Sequence, residues 1–201
     1  MAIASAARAA GKQKKSERTR QLLLDAALRI IGRKGYTSAT VDEIVKEAGV
    51  SKGVAYYHFK SKAEMATGVL DAGLGNMAAE FKRIVEEASD APGALMAMLE
   101  FFAAELYDNR EFAHFLMTEL WRDGRVWSEA MRDRLQELID IITAQIARGV
   151  EEGSLRSTLD PQFSAVSVVG MVVTDAMYYT DLLAKQSFID HIRAFAHHAL
   201  S

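Results

Sequence analysis

The residues of this sequence that are best suited to molecular recognition lie in one short segment, TVDEIVKEAGVSKGVAYYHFKSK, from Thr40 to Lys62. Within it, Lys52 could donate to guanine acceptors, Gly53 would let a helix backbone approach a base closely, and Val54 could touch a thymine methyl group. Other side chains of the segment are suited to phosphate oxygens: Tyr56, Tyr57, His58 and Lys62. The chemistry indicated is non-covalent recognition of double-stranded DNA.

The elements that must position these side chains are two short helices joined by a tight turn. Thr40 and Glu43 have the spacing of a capping box at the start of an amphipathic helix, which Gly49 ends. Ser51 can cap the next helix, whose apolar positions Ala55 and Phe59 share one face. This is the sequence form of a helix-turn-helix. The alternative, that the aromatic residues of the second helix are core residues, suits Phe59 best.

The charge distribution separates the chain into two parts. Residues 1–62 carry 13 basic and 5 acidic side chains, a net charge of +8, whereas residues 63–201 carry 11 basic and 22 acidic ones, a net charge of −11. A localised positive region is expected of a polyanion-binding surface, and phosphates would repel the acidic remainder. The N-terminal part is therefore the expected nucleic-acid-binding part.

Helical periodicity with sparse glycine and proline predicts an all-α fold of about nine helices. We expect a flexible basic arm over 1–16, a three-helix DNA-binding domain over 17–62, and a C-terminal helical domain over 63–201, joined by a long fourth helix. The chain has no cysteine, which agrees with a cytoplasmic location. The longest uncharged apolar stretch, Pro161 to Thr174, is too short to cross a bilayer, so no membrane partner is expected.

The segment from Leu23 through Leu70 resembles the DNA-binding domain of the tetracycline-repressor (TetR) family. The matching features are an Ala-Ala pair in the first helix, Gly35-Tyr36, Thr40-Val41, Ile44, Ala48-Gly49-Val50-Ser51, Tyr56-Tyr57-His58-Phe59 and Ser61-Lys62. The resemblance implies that Thr40, Tyr56 and Lys62 hold phosphates. It also implies that Lys52 to Val54, with Tyr57 and His58, approach base edges. Val54 and Ala55 depart from the family's common pattern, which has a hydroxyl residue and a larger apolar residue there.

The resemblance also implies a ligand-binding C-terminal domain whose last two helices form a four-helix interface with a second copy. Two apolar stripes permit this: Phe163, Val166, Val169, Gly170, Val173 and Met177 in one helix, and Ile189, Ile192, Phe195 and Ala196 in the other. Periodicity alone does not separate such an interface from an intramolecular core. The candidate ligand-lining residues are Met96, Leu99, Phe102, Phe115, Trp121, Met131, Leu135, Met171, Thr174, Asp175 and Tyr178.

Asp175 is the most informative of these candidates because a carboxylate in an apolar helix needs a partner. That partner could be a cationic or hydroxylated ligand, a donor from a second copy, or water. Glu111 and His114 have a metal-binding spacing, but only one copy of the motif occurs, so we expect no metal and no cofactor.

The resulting hypothesis is a homodimeric regulator, not an enzyme, that binds a near-palindromic operator and is released by a largely apolar small molecule. The alternative is an all-helical small-molecule-binding protein or enzyme without specific DNA binding. Tight binding to one preferred duplex, with an affinity that depends steeply on salt concentration, would distinguish the regulator from this alternative.

Overall fold

The computed structural model describes residues 2–120 and 128–200, and these residues form nine α-helices and no β-strand. The all-α prediction is therefore confirmed. The helices are α1 (Ala2–Lys34), α2 (Val41–Ala48), α3 (Lys52–His58), α4 (Lys62–Glu87), α5 (Ala91–Asp108), α6 (Arg110–Leu120), α7 (Ser128–Glu151), α8 (Pro161–Tyr179) and α9 (Lys185–Leu200).

The chain divides into two compact units, Met1–Val69 and Leu70–Ser201. The division falls inside α4, seven residues after the boundary expected at residue 62. In the first unit, α1 packs against α2 and α3 around a small buried core made of Leu23, Leu24, Ala27, Ile31, Ile44, Ala55 and Phe59. Gly35, with φ at +75°, ends α1 in the left-handed conformation that glycine adopts without strain.

The first helix is longer than the sequence predicted. We expected it to begin at Glu17 after a flexible arm, but α1 begins at Ala2. Alanine, lysine, glutamine and arginine, which dominate residues 2–16, are strong helix formers, and Gly11 is the one weak former that interrupts them. No proline interrupts the helix, and α1 continues through Ser16, a residue type that could have capped a helix beginning at Glu17.

In the second unit, α5 packs against α7, α8 and α9. Its buried side chains fill the centre of this helical unit, together with residues from the other helices: Leu95, Leu99, Phe102, Phe115, Leu138, Ile142, Val172 and Ile192. Asp90 caps α5 by accepting from the Gly93 amide at 2.7 Å, and Asp160 caps α8 by accepting from the Phe163 amide at 2.7 Å. Among the described helices, none combines the length and apolarity that a bilayer span requires.

The turn between α8 and α9 corrects a second predicted boundary. The sequence pattern extended the eighth helix to Ala184, whereas α8 ends at Tyr179. Contacts from α5 and α6 hold the turn: the Tyr107 hydroxyl donates to the Leu183 carbonyl at 2.8 Å, and Arg110 Nη2 donates to Asp181 at 2.6 Å. Because these contacts are long-range and no glycine or proline marks the turn, local sequence does not reveal it.

Candidate functional site

Hydrogen bonds at Thr40 fix the start of α2 against the end of α1. The Thr40 hydroxyl accepts from the Glu43 amide at 3.2 Å, and the Thr40 amide donates to the Glu43 carboxylate at 3.0 Å. The predicted capping box is thus present. The Lys34 ammonium also binds Glu43, and this hydrogen bond, followed by those from Thr40, holds the pKa of the Glu43 carboxyl below its ordinary value.

Gly49 and Ser51 form the turn that aims α3. Gly49 adopts φ +67°, and its amide donates to the last carbonyls of α2. The Ser51 hydroxyl then accepts from the Val54 amide at 3.3 Å, which caps α3. The end of α2 and the start of α3 therefore lie where the sequence predicted them. The two helices and the turn between them form a helix-turn-helix.

The two faces of α3 differ sharply in exposure. Ala55 and Phe59 are buried and hold the helix against the core of the first unit. On the other side, Tyr57 is 78% exposed and Tyr56 is 48% exposed. Lys52, Gly53 and Val54 are also exposed, and His58 is half-buried with its ring 5.1 Å from that of Tyr57. All the base-reading candidates of α3 thus lie on its outer surface or at its margin.

Phe59 is held in place by residues that the sequence pattern did not single out. The Arg20 guanidinium lies over its ring, 5.1 Å from the centroid, in a cation-π arrangement. Gly68 in α4 lies so close that a Cβ atom there would be 2.9 Å from Leu24 Cδ2 and 3.3 Å from Phe59 Cε1. The missing side chain at Gly68 therefore lets the start of α4 approach α1 and close over the buried face of α3.

Lys52 makes an ion pair with Asp42 of α2. The Nζ to Oδ1 distance is 2.7 Å, and this hydrogen bond raises the pKa of Lys52 above its ordinary value. Both side chains are exposed, and an exposed ion pair contributes little to stability. Asp42 therefore orients the Lys52 ammonium at the exposed surface. The ion pair is weak enough for another acceptor to replace Asp42.

Lys62 makes contacts that its predicted phosphate role does not require. Its ammonium donates to the carbonyls of Tyr36 and Ala39, each at 2.6 Å, and lies 4.1 Å from the centroid of the Tyr36 ring. The α1–α2 loop is thereby tied to the first residue of α4. No local pattern pointed to this contact, because 26 residues separate Lys62 from Tyr36.

Replacing Lys62 with methionine should lower the stability of the first unit by about 1–2 kcal/mol, because two loop carbonyls lose a charged donor. Thermal unfolding and affinity for an arbitrary duplex would be measured on the same protein. Lys60→Met, at an exposed position two residues earlier, is the matched control. Unchanged stability with weaker DNA binding would instead mean that Lys62 acts on phosphates alone.

The ligand-lining candidates do not gather around one described cavity. Five are buried core residues: Leu99, Phe102, Phe115, Met131 and Leu135. Met96 is half-buried, Thr174 is exposed and Tyr178 is 70% exposed. Trp121 lies outside the described residues.

Met171 and Asp175 are the two candidates that share a described cavity, which lies between α8 and α9. It has a volume of about 570 Å³. Its lining consists of Met171, Asp175, Tyr179, Leu183, Phe188, His191, Ile192 and Phe195. The aromatic and α9 members of this set were missed, because the sequence pattern suggested a pocket among the middle helices.

The apolar stripes predicted for α8 and α9 are divided between core and surface. Val169, Val173, Ile192 and Ala196 are buried within the protomer. Phe163 is 75% exposed, and Val166 and Phe195 are also exposed, as is Tyr178 near the end of α8, which belongs to neither stripe. The outer sides of α8 and α9 thus carry large apolar side chains of the kind that mark an interaction surface.

Comparison with known proteins supports the identification of the helix-turn-helix in the first unit. Residues 23–69 match the family model described as bacterial regulatory proteins, tetR family. The chain is 26% identical over 163 residues to the transcriptional regulator SrpR of Pseudomonas putida, covering 81% of this chain and 75% of that protein. Among solved structures, the fatty acid degradation regulator FadR from Bacillus halodurans has a TM-score of 0.80 at 18% identity, covering 89% of this chain and 94% of that one. FadR from Bacillus subtilis in complex with stearoyl-CoA has a TM-score of 0.77 at 18% identity, covering 88% and 96%.

The helix-turn-helix with its exposed reading face, followed by a separate helical unit, defines a DNA-binding transcriptional regulator. Residues 23–69 carry the sequence pattern of the tetR family of bacterial regulatory proteins, and the chain is similar over most of its length to the regulator SrpR. The resemblance to this family that the sequence motifs indicated is therefore confirmed.

Proposed function

We propose that the protein is a sequence-specific repressor that places α3 in the major groove of an operator. The observation that carries this proposal is the contrast at α3, where Ala55 and the C-cap residue Phe59 are buried while Lys52, Val54 and Tyr57 are exposed. An α-helix fits the major groove, and residues near its N-terminus reach base edges there. Lys52, Gly53 and Val54, with Tyr57 and His58, would read bases, while Thr40, Tyr56 and Lys62 would hold phosphates.

Selection of bound fragments from random duplexes should yield a preferred site, which the protein binds at least about a thousandfold more tightly than bulk DNA. Lys52→Ala should relax the base preference at one position of the site and cost about 1–3 kcal/mol there, because a bidentate contact with guanine is lost. The control is Lys46→Ala, at an exposed lysine of α2. Failure to enrich any site would leave only non-specific DNA binding.

A basic surface of α1 would add a sequence-independent contribution to DNA binding. Lys14, Lys15 and Arg18 are exposed, and they make no ion pair with any residue in the described part of the chain. At about 100° per residue, their spacing places them within roughly one quarter to one third of the helix circumference. Three cations on one side of a helix form a stripe suited to the phosphate backbone.

Changing Lys14, Lys15 and Arg18 together to glutamine should weaken binding to all duplexes alike. If each residue contacts one phosphate, the slope of log affinity against log salt concentration should fall by up to about 2.7. The measurement is a salt titration on the selected site and on a scrambled duplex. The control replaces three exposed basic residues of the second unit: Lys82, Arg83 and Arg132. An unchanged slope would exclude the stripe from the interface.

The active form would be a homodimer that binds a near-palindromic operator through two copies of α3. The exposed apolar residues of α8 and α9, among them Phe163, Val166 and Phe195, support these helices as the dimer interface. Binding to the chromosome would place the protein in the bacterial cytoplasm.

A small-molecule effector bound in the second unit would release the operator. The Bacillus subtilis FadR structure is a complex with stearoyl-CoA, which supports a ligand-binding role for the present chain. If effector and operator favour different conformers, each must weaken the other's binding by the same factor. A compound titration that releases the selected duplex, and a reciprocal loss of compound affinity when that duplex is added, would test this coupling.

A further inference from the structure

Asp42 places a negative charge within the surface that is proposed to face DNA. It lies in the first turn of α2, its side chain is 71% exposed, and its Oδ1 atom is 2.7 Å from Nζ of Lys52, the first residue of α3. Thr40, which is proposed to hold a phosphate, is two residues away. A carboxylate at this position repels the phosphates of every duplex, so it lowers the affinity for DNA in general.

The folding of the helix-turn-helix does not account for Asp42. Thr40 and Glu43 already form the capping box of α2. The turn into α3 is held by its own backbone hydrogen bonds, among them the Val50 amide donating to the Val45 carbonyl at 3.1 Å. The exposed ion pair between Asp42 and Lys52 adds little stability to these local contacts.

The other acidic side chains of α2 have their partners on α1. Glu43 binds the Lys34 ammonium, and Glu47 binds Arg29 Nε at 2.8 Å. These two pairs connect α2 to α1. Asp42 differs because its partner is the lysine of α3 that is proposed to contact a base. Its charge therefore acts on the helix that would enter the major groove.

The Asp42 carboxylate leaves Lys52 suited to one kind of acceptor. A lysine ammonium has three N–H donors, so two remain when one donates to Asp42. Guanine offers two neutral acceptors in the major groove, O6 and N7, and these can bind the remaining donors while Asp42 stays in place. A phosphate oxygen is anionic and would meet the carboxylate at the same ammonium, which opposes its binding.

We propose that Asp42 is a specificity-determining residue, whose carboxylate holds the Lys52 ammonium for guanine and keeps it from the phosphates of other duplexes. This role rests on the sequence-specific DNA binding proposed above and names the residue that increases its selectivity. The lysine stem is flexible, so without Asp42 the ammonium would be free to bind a phosphate on any duplex. Asp42 acts through Lys52 as a positioning residue and need not touch a base itself.

The test is Asp42→Asn in the full chain, which removes the charge and keeps the size of the side chain. Fluorescence anisotropy would measure the affinity for the selected site and for a scrambled duplex at several salt concentrations. The affinity for the scrambled duplex should rise by about threefold or more, and its salt slope should steepen by up to about 0.9, because Lys52 gains one phosphate contact. The ratio of the two affinities should fall by about fivefold or more as the preference for guanine relaxes.

Glu47→Gln is the matched control, because it makes the same change of charge in the same helix at a residue whose partner lies on α1. It should leave the ratio within about twofold of the parent value. A second control places Asp42→Asn in a Lys52→Ala background. If Asp42 acts through Lys52, the added substitution should no longer change the base preference.

Thermal unfolding of each variant is measured alongside binding. Loss of folding would lower the affinity for every duplex, so it cannot imitate the expected gain on the scrambled duplex. An Asp42→Asn variant that keeps the parent's affinity ratio, or a Glu47→Gln variant that lowers the ratio equally, would overturn the role of Asp42 and leave sequence-specific binding in place. A parent chain that enriches no site would reject sequence-specific binding itself, and the role of Asp42 with it.

Discussion

Replacing Phe59 with alanine should destabilise the DNA-binding unit by about 3–5 kcal/mol and abolish operator binding. The ring is 2% exposed, the Arg20 guanidinium lies over it, and the backbone of Gly68 in α4 lies close to its Cε1 atom. Its loss removes apolar packing and leaves a cavity beneath α3. A unit of about 70 residues rarely has more than 5–10 kcal/mol of stability, so most of its margin would be lost.

Hydrogen exchange followed by mass spectrometry would locate this effect, because peptides from 23–69 should lose protection while those from 91–120 retain it. The control is Tyr57→Ala on the same helix. Tyr57 is 78% exposed, so its removal should leave protection unchanged while weakening binding to the selected duplex. If Phe59→Ala bound the operator normally, then α3 would not depend on this packing.

The helix-turn-helix could be predicted because its determinants are local. Thr40, Gly49 and Ser51 act within three or four residues of their own positions, through caps and a left-handed turn that propensity rules describe. The buried positions Ala55 and Phe59 follow from helical periodicity. Such features leave a clear pattern in a single sequence.

The features that could not be predicted depend on contacts between distant residues. Lys62 is a residue type that suits phosphate binding, yet two of its hydrogen bonds go to carbonyls 23 and 26 residues away. The α8–α9 turn depends on Tyr107 and Arg110, and the cavity at Asp175 depends on α9 side chains such as His191. A periodic pattern shows that residues share a helix face, but it does not show which helix covers that face.

The close approach of α4 and α6 gives the second large effect, at Gly73. A Cβ atom at this position would lie 2.3 Å from Phe112 Cζ and 2.5 Å from Phe112 Cε2, and Phe112 is 3% exposed. A buried ring has little room to move, so Gly73→Ala should lower the stability of the second unit by about 1–3 kcal/mol through overpacking. Urea unfolding followed by tryptophan fluorescence would measure this, since both tryptophans, Trp121 and Trp127, belong to residues 70–201.

Gly75 is the matched control, because it lies in the same helix and a Cβ atom there would meet nothing within 4 Å. Gly75→Ala should raise stability by up to about 1 kcal/mol, since alanine is the better helix former. Adding Phe112→Leu to Gly73→Ala should recover part of the loss, because leucine lacks the ring atoms that the new methyl group meets. Two results would contradict this explanation: a Gly75→Ala variant that is less stable than the parent, or a double variant whose stability equals the sum of the two single effects. Either would show that backbone entropy or another neighbour, and not the Phe112 ring, requires glycine at position 73.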